Sequence, residues 1–494
     1  MAEVKKKENE ECNKDGEKGA QMSQTNAKKA SDVTAYVAAM VALCLYVPDQ
    51  ITSTASKHLT VSLDIPAKNT GIYMTKLYAT KTLVNFTGSL LMLIVNMFTP
   101  ANRWISSISF LVLAITRIIL LAVYFLPQSA IYFYFVFIVQ AFIRGLFENN
   151  FYPAAAEHMS VISLCYKGSR VFVWTAQVIM DIVIKDKATW MISFHLVLMT
   201  IATIAGMIGW FWCIFVLSLQ NEVSTADSSS SQSSGSASTS GSNTAARDET
   251  MWAVMKRVYS PFLMCMFGWP QKNFYSPGIV PYALVDRSLC HPINIILMFF
   301  SFCVTFTIHI IKTKCVSISN PWGAPPTGWH LAWLFMIPTL CCVPVIYSAM
   351  HYPLGVIHKA LHNNRVTVTT LAVILVGSTT VLDNMGYIGV SACSKDKCGK
   401  RSKSAMKIIA MTSFTAQFIT SFTYRMSTGY LIFWRQHVDE LSNRAPTSKM
   451  YWFNRLMFWA VNSIKHAGYD FVNEFKGNIR DVVVHDVDNV LTSG

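Results

Sequence analysis

Charge is what this chain has little of. Only 14% of its 494 residues are Asp, Glu, Lys or Arg, and just 27 are acidic. Soluble domains carry roughly a quarter charged residues. With 52% apolar residues and a mean hydropathy of +0.36, the chain has too much apolar surface for water to solvate. Common chemical signatures are missing as well. There is no glycine-rich loop ending in a Walker lysine, no His-Glu-x-x-His and no Gly-x-Ser-x-Gly elbow. Their absence leaves no enzyme constellation, calls for no cofactor or metal, and argues against ATP-driven work by this chain alone. No apolar h-region precedes the first long apolar stretch, so no cleaved leader is expected.

What the chain has instead is eleven hydrophobic stretches, each near the ~20 residues needed to cross a bilayer. They run roughly over 33–55, 72–98, 104–126, 130–152, 168–185, 189–217, 256–284, 292–312, 329–350, 366–392 and 404–431. Backbone groups in lipid must bond within their own segment, so each span predicts a helix and the chain an all-α polytopic membrane protein. The fifth stretch is short and polar, and the seventh is broken by Trp269-Pro270-Gln271-Lys272-Asn273.

Composition divides the chain further. Residues 1–32 are a lysine-rich tail expected to be disordered, 33–217 a bundle of six spans, and 218–255 a Ser-rich disordered loop. Residues 256–431 form a bundle of five spans, and 432–494 a tail. In that tail Tyr451, Trp452, Phe453, Leu456, Phe458 and Trp459 surround Arg455, a pattern read as an interfacial helix in preference to a twelfth span. Basic residues number about 20 in loops on the N-terminal side against about 7 opposite, which places the N-terminus in the cytoplasm, with the plasma membrane the expected location.

The net charge of +14 sits mostly beside spans, where anionic lipid accounts for it without nucleic acid. Most of the twelve cysteines lie inside spans, where cysteine acts as a small apolar residue. Cys393 and Cys398 flank a lysine-rich loop but have no further metal ligands nearby in sequence.

Polar groups at bilayer depth are costly and mark a cavity or a partner. Pro48 frees a carbonyl beside Asp49 and Gln50. Either they form a polar wall or the span ends at Pro48 and Asp49 is hydrated. Lys76 and Lys81 fit snorkelling side chains. Gln140, Arg144 and Glu148 share one helix face, so Arg144 either pairs with Glu148 or meets solute. Trp174, Gln177 and Asp181 share another face, with Arg170 or Lys185 as the expected partner of Asp181. His309 reads as a packed core histidine or a proton and base contact. Asp383-Asn384 is a site or gate candidate, with Gln417 and Arg425 on the eleventh span.

Six spans, a long polar loop and five spans resemble the equilibrative nucleoside transporter family, over about residues 33–432. Leu45-Tyr46-Val47-Pro48-Asp49-Gln50 is similar to its Leu-Pro-Trp-Asn segment, and Asn384-Met385-Gly386-Tyr387-Ile388 to its Asn-Gly-Tyr-Leu segment. Phe267-Gly268-Trp269-Pro270 and the run from Trp329 to Pro338 resemble its helices seven and nine. The chain departs in helix eight, where Thr305 to Lys312 lacks the family's Asp and Arg four apart. It departs again at Lys167-Gly168-Ser169, where a Gly-x-Gly is reduced. Gln140, or Arg144 with a shift, stands at the helix-four glutamine.

The resemblance implies a major-facilitator-like fold of two bundles, 6+5, with a facilitative alternating-access site between them for a nucleoside or nucleobase. It implies that Tyr46, Gln50, Met74, Gln140, Trp174, Gln177, His309, Asp383 and Asn384 supply aromatic, methionine and amide contacts. Two further readings stay open: a proton-coupled or other-solute carrier using Asp49, Asp181, Asp383 or His309, and a receptor or scaffold on a degenerate carrier fold. Oligomeric state is not legible.

Overall fold

The computed structural model describes residues 33–98, 103–154, 159–185, 187–217, 249–276, 278–323, 328–395, 402–443, 452–473 and 479–484. The expectations for the N-terminal tail, most of the Ser-rich loop and Cys398 lie outside these residues. The described residues are mostly helical, with no extended strand among them.

The first half holds α1 (Val33–Thr54), the short α2 (Ser56–Ser62), α3 (Thr70–Phe98), α4 (Arg103–Val123), α5 (Ser129–Ala154), α6 (Met159–Val183) and α7 (Ala188–Trp212). The second holds α8 (Met251–Tyr275), α9 (Arg287–Lys314), α10 (Met336–His351, led in by a 3-10 stretch from Gly328), α11 (Arg365–Cys393), α12 (Lys403–Asn443), α13 (Trp452–Asn473) and α14 (Ile479–Val484). Eight of these helices are long and apolar enough to cross a membrane on their own composition. Three expected spans, α6, α8 and α12, are long enough but more polar, and Lys167, Arg170, Lys272 and Arg425 on them are at least partly buried.

Several boundaries have local causes. The α1 helix runs through Pro48 to Thr54, so Asp49 lies inside the helix and not on a hydrated end. At the start of α8, the Thr250 side chain accepts the Ala253 N–H. The α3 and α5 helices touch backbone to backbone. A Cβ on Gly145 would stand 2.2 Å from the Asn85 carbonyl oxygen, and one on Gly88 2.3 Å from that of Phe142. Small residues at such a crossing are how helices associate in lipid, where apolar surface gives little drive.

The halves meet along two seams, α3 against α12 and α6 with α2 against α9. Most of the segment expected to form an interfacial helix is α13, which packs along α12 and, through Asp470, meets α3. A Cβ on Gly429 would lie 2.3 Å from the Ser463 carbonyl oxygen, and Asp470 is 1% exposed. Arg455 is buried, with its guanidinium carbon 4.5 Å from the Tyr352 ring centre. That contact explains why an arginine was no sign of a surface helix here. The α13 helix thus makes a twelfth long helix among the described residues.

Candidate functional site

Three polar clusters lie inside the bundle. The first belongs to the first half. Arg144 Nη1 donates to Asp49 Oδ2 at 2.6 Å and its Nε to Glu148 Oε1 at 2.7 Å, while Lys81 closes on the other oxygen of Asp49. The i to i+4 spacing on α5 puts Arg144 and Glu148 together; Asp49 comes from α1. The Arg144 guanidinium carbon lies 4.2 Å from the Tyr46 ring centre, and that ring meets Tyr166 of α6 at 3.9 Å. Lys81 does not snorkel, because a carboxylate inside the bundle holds it.

The second cluster lies on the α6 seam. Lys167 donates to Asn384 and Arg170 to Ser301, while Trp174 packs on Phe299 at 4.8 Å. Positions 167, 170, 174, 177 and 181 follow helical spacing, and from this stripe of α6 Lys167, Arg170, Trp174 and Asp181 reach the second half. Asn384 also donates to Thr305 at 3.3 Å and to the Thr380 carbonyl at 2.7 Å. Beside it, Asp383 lies within electrostatic reach of Lys167, Lys272 and Arg170, yet its buried Oδ1 accepts no hydrogen bond. Tyr166 reaches both this carboxylate and Asp49, so the first two clusters adjoin.

The third cluster lies toward the far end from Val33, where α1 hands over to α2. Gln177 donates to Asp181 at 2.8 Å, and its amide oxygen accepts from His195 Nε2 at 2.8 Å. Asp181 faces His291 Nε2 at 2.9 Å and His58 Nε2 at 3.6 Å. Its partners are therefore two histidines and a glutamine, not Arg170 or Lys185. Arg170 bonds Ser301 instead, and Lys185 lies past the end of α6.

The remaining expected site residues scatter. Met74 is fully buried in the apolar core. Gln50 is buried, and Gln140 is buried with its amide oxygen unpartnered. His309 is half-exposed, within electrostatic reach of Lys167 and Lys312. The structure thus brings together Tyr46, Asp49 and Arg144, then Trp174, Asp383 and Asn384 along the seam, then Gln177 and Asp181.

Sequence reasoning missed Tyr166, Lys272, His58, His195 and His291, and gave Lys76 the wrong surroundings. Lys76 is fully buried and donates to Asp470 at 2.6 Å, while Arg425 Nη1 meets the other oxygen at 2.8 Å. Their separation of 394 positions hides the pair from any local pattern. Arg117 is likewise fully buried, donating to the Cys44 carbonyl at 2.7 Å.

No protein-family model matches the chain, and no curated protein matches it in sequence. Solved structures do match in shape. A crystal structure of a D-xylose–proton symporter superposes with a TM-score of 0.52 at 11% identity, covering 88% of this chain and 96% of that one. A peptide-bound POT-family transporter gives a TM-score of 0.53 at 11% identity, over 91% and 96%. The nucleoside transporter NupG superposes with a TM-score of 0.45 at 11% identity, over 92% and 100%, too low to bear on cargo. The chain has the two-bundle major-facilitator fold of a polytopic membrane protein.

Proposed function

We propose that this chain is an alternating-access membrane carrier that holds a small polar solute between its halves, at the cluster around Asp383. One observation carries the reading. A buried carboxylate oxygen without a partner, faced by three cations from α6 and α8, lies where the halves meet. Buried polar atoms are normally satisfied, and an open one on a seam that must part is a natural ligand contact. Carriers of this fold bind solute near mid-depth and rock one bundle against the other.

Within that reading, the cargo is a nucleoside or nucleobase. Support comes from the Tyr46–Tyr166 rings, the Asn384 amide and the wording shared with equilibrative nucleoside transporters. Rings stack a base, and amides and cations meet its carbonyls and the ribose hydroxyls. The surplus of Lys167, Arg170 and Lys272 over Asp383 favours a second reading, an anionic cargo such as a nucleoside monophosphate. A cytoplasmic N-terminus is the orientation that the basic loops favour.

Uptake of labelled adenosine, hypoxanthine, uridine and adenosine monophosphate into carrier-deficient cells, at two external pH values, tests this. Saturable uptake competed by unlabelled nucleoside supports the first reading, and preference for the monophosphate supports the second. Uptake that rises at lower external pH marks proton coupling. No flux from folded surface protein removes the carrier reading for these solutes.

A further inference from the structure

His58 is 4% exposed, and its Nε2 has no hydrogen-bond partner although Asp181 Oδ1 stands 3.6 Å away. His291 Nε2 lies 2.9 Å from the other oxygen of Asp181. The two imidazoles meet edge to face with centroids 4.5 Å apart. One ligand atom from each of the three residues falls within 4.8 Å of the others. In a tetrahedral zinc site, bonds of about 2.0–2.2 Å place the ligand atoms a little over 3 Å apart, so these side chains need only a small inward movement.

We propose that His58, Asp181 and His291 bind one transition-metal dication of the zinc type, and that this ion ties the two halves together at the end far from Val33. The ion would satisfy the orphaned nitrogen of His58. Gln177, donating to Asp181 at 2.8 Å and joined to His195, is the outer support that ligating carboxylates usually have. The cluster opens into a pocket of about 460 Å³, which leaves a fourth position for water.

Lys57, Lys185 and Arg365 also line that pocket. Their charge opposes any dication, and a single carboxylate offers too few oxygen ligands for Ca²⁺ or Mg²⁺. Two imidazoles select Zn²⁺, Ni²⁺ or Cu²⁺ instead. His58 on α2 and Asp181 on α6 belong to the first half and His291 on α9 to the second. Binding itself stands apart from the solute reading. The consequence that the ion must leave before this end opens rests on the carrier reading.

The test uses purified full-length protein stripped with chelator and titrated with Zn²⁺ against a chromophoric competitor. The expected result is one saturable site, weakened about 100-fold or more by His58→Ala and by His291→Ala. Asp181→Asn, which keeps the shape of the side chain, weakens it at least about tenfold. Each variant is first shown to unfold cooperatively in EDTA. Zn²⁺ should raise the melting temperature of the wild type and not of the double histidine variant. Wild-type binding that the folded histidine variants retain, or that Ca²⁺ displaces equally well, would overturn the site.

Discussion

The Asp49–Lys81–Arg144–Glu148 network and the cluster around Asp383 are both made of charged side chains inside a helical bundle. They are satisfied very differently. The first holds two carboxylates and two cations, and Arg144 reaches both carboxylates while Lys81 reaches Asp49. The second sets three cations against one carboxylate with an unpartnered oxygen. The first draws its residues from α1, α3 and α5 of one half; the second straddles the seam. Charges that complete one another within a half hold helices in place. Charges left incomplete across a seam are what the proposed carrier reading assigns to a solute. The Lys76–Asp470–Arg425 triad takes the first role at a joint between halves, since both oxygens of Asp470 are taken.

The comparison can be broken by removing one group at a time. The largest expected effect on stability is Asp470→Ala, which leaves Lys76 and Arg425 buried without their carboxylate. Loss of one partner from a buried pair costs about 3–5 kcal/mol, read as a large fall in melting temperature in detergent. An unchanged melting temperature would mean that α13 is not docked as described. Asp49→Ala comes next, at about 1.5–3 kcal/mol, because Arg144 keeps Glu148. Lys272→Ala and Asp383→Asn should change stability by under about 1 kcal/mol and yet lower uptake at least tenfold. Stability loss matching that of Asp49→Ala would erase the contrast between the clusters. Gln177→Ala should cost about 1 kcal/mol by freeing Asp181 and His195. The smallest effect is expected from half-exposed His309→Ala, within about 0.5 kcal/mol on thermal unfolding.

Eight of the expected spans were legible because a bilayer demands a run of apolar residues that the sequence shows directly. Arg144–Glu148 was legible too, since both lie on one helix face. Lys81 was not, because a lone lysine in an apolar run looks the same whether it snorkels or meets a carboxylate on another helix. The same limit hid Lys76 from Asp470 and Asp181 from His58 and His291. Hydropathy also hid how α13 packs. Arg455 and Asp470 lower its apolar average, but both are buried against partners. Of the expected site, the positions on α6 and α11 fell on the seam, while Met74 went to the core, since methionine serves both settings equally.

The most direct test of the carrier account is uptake of labelled adenosine by the wild type, Lys272→Ala and Asp383→Asn in carrier-deficient cells, normalised to folded protein at the surface. The account predicts saturable wild-type uptake that both variants lose while keeping the wild-type melting temperature. Wild-type rates in both folded variants would contradict it and move the site away from the seam.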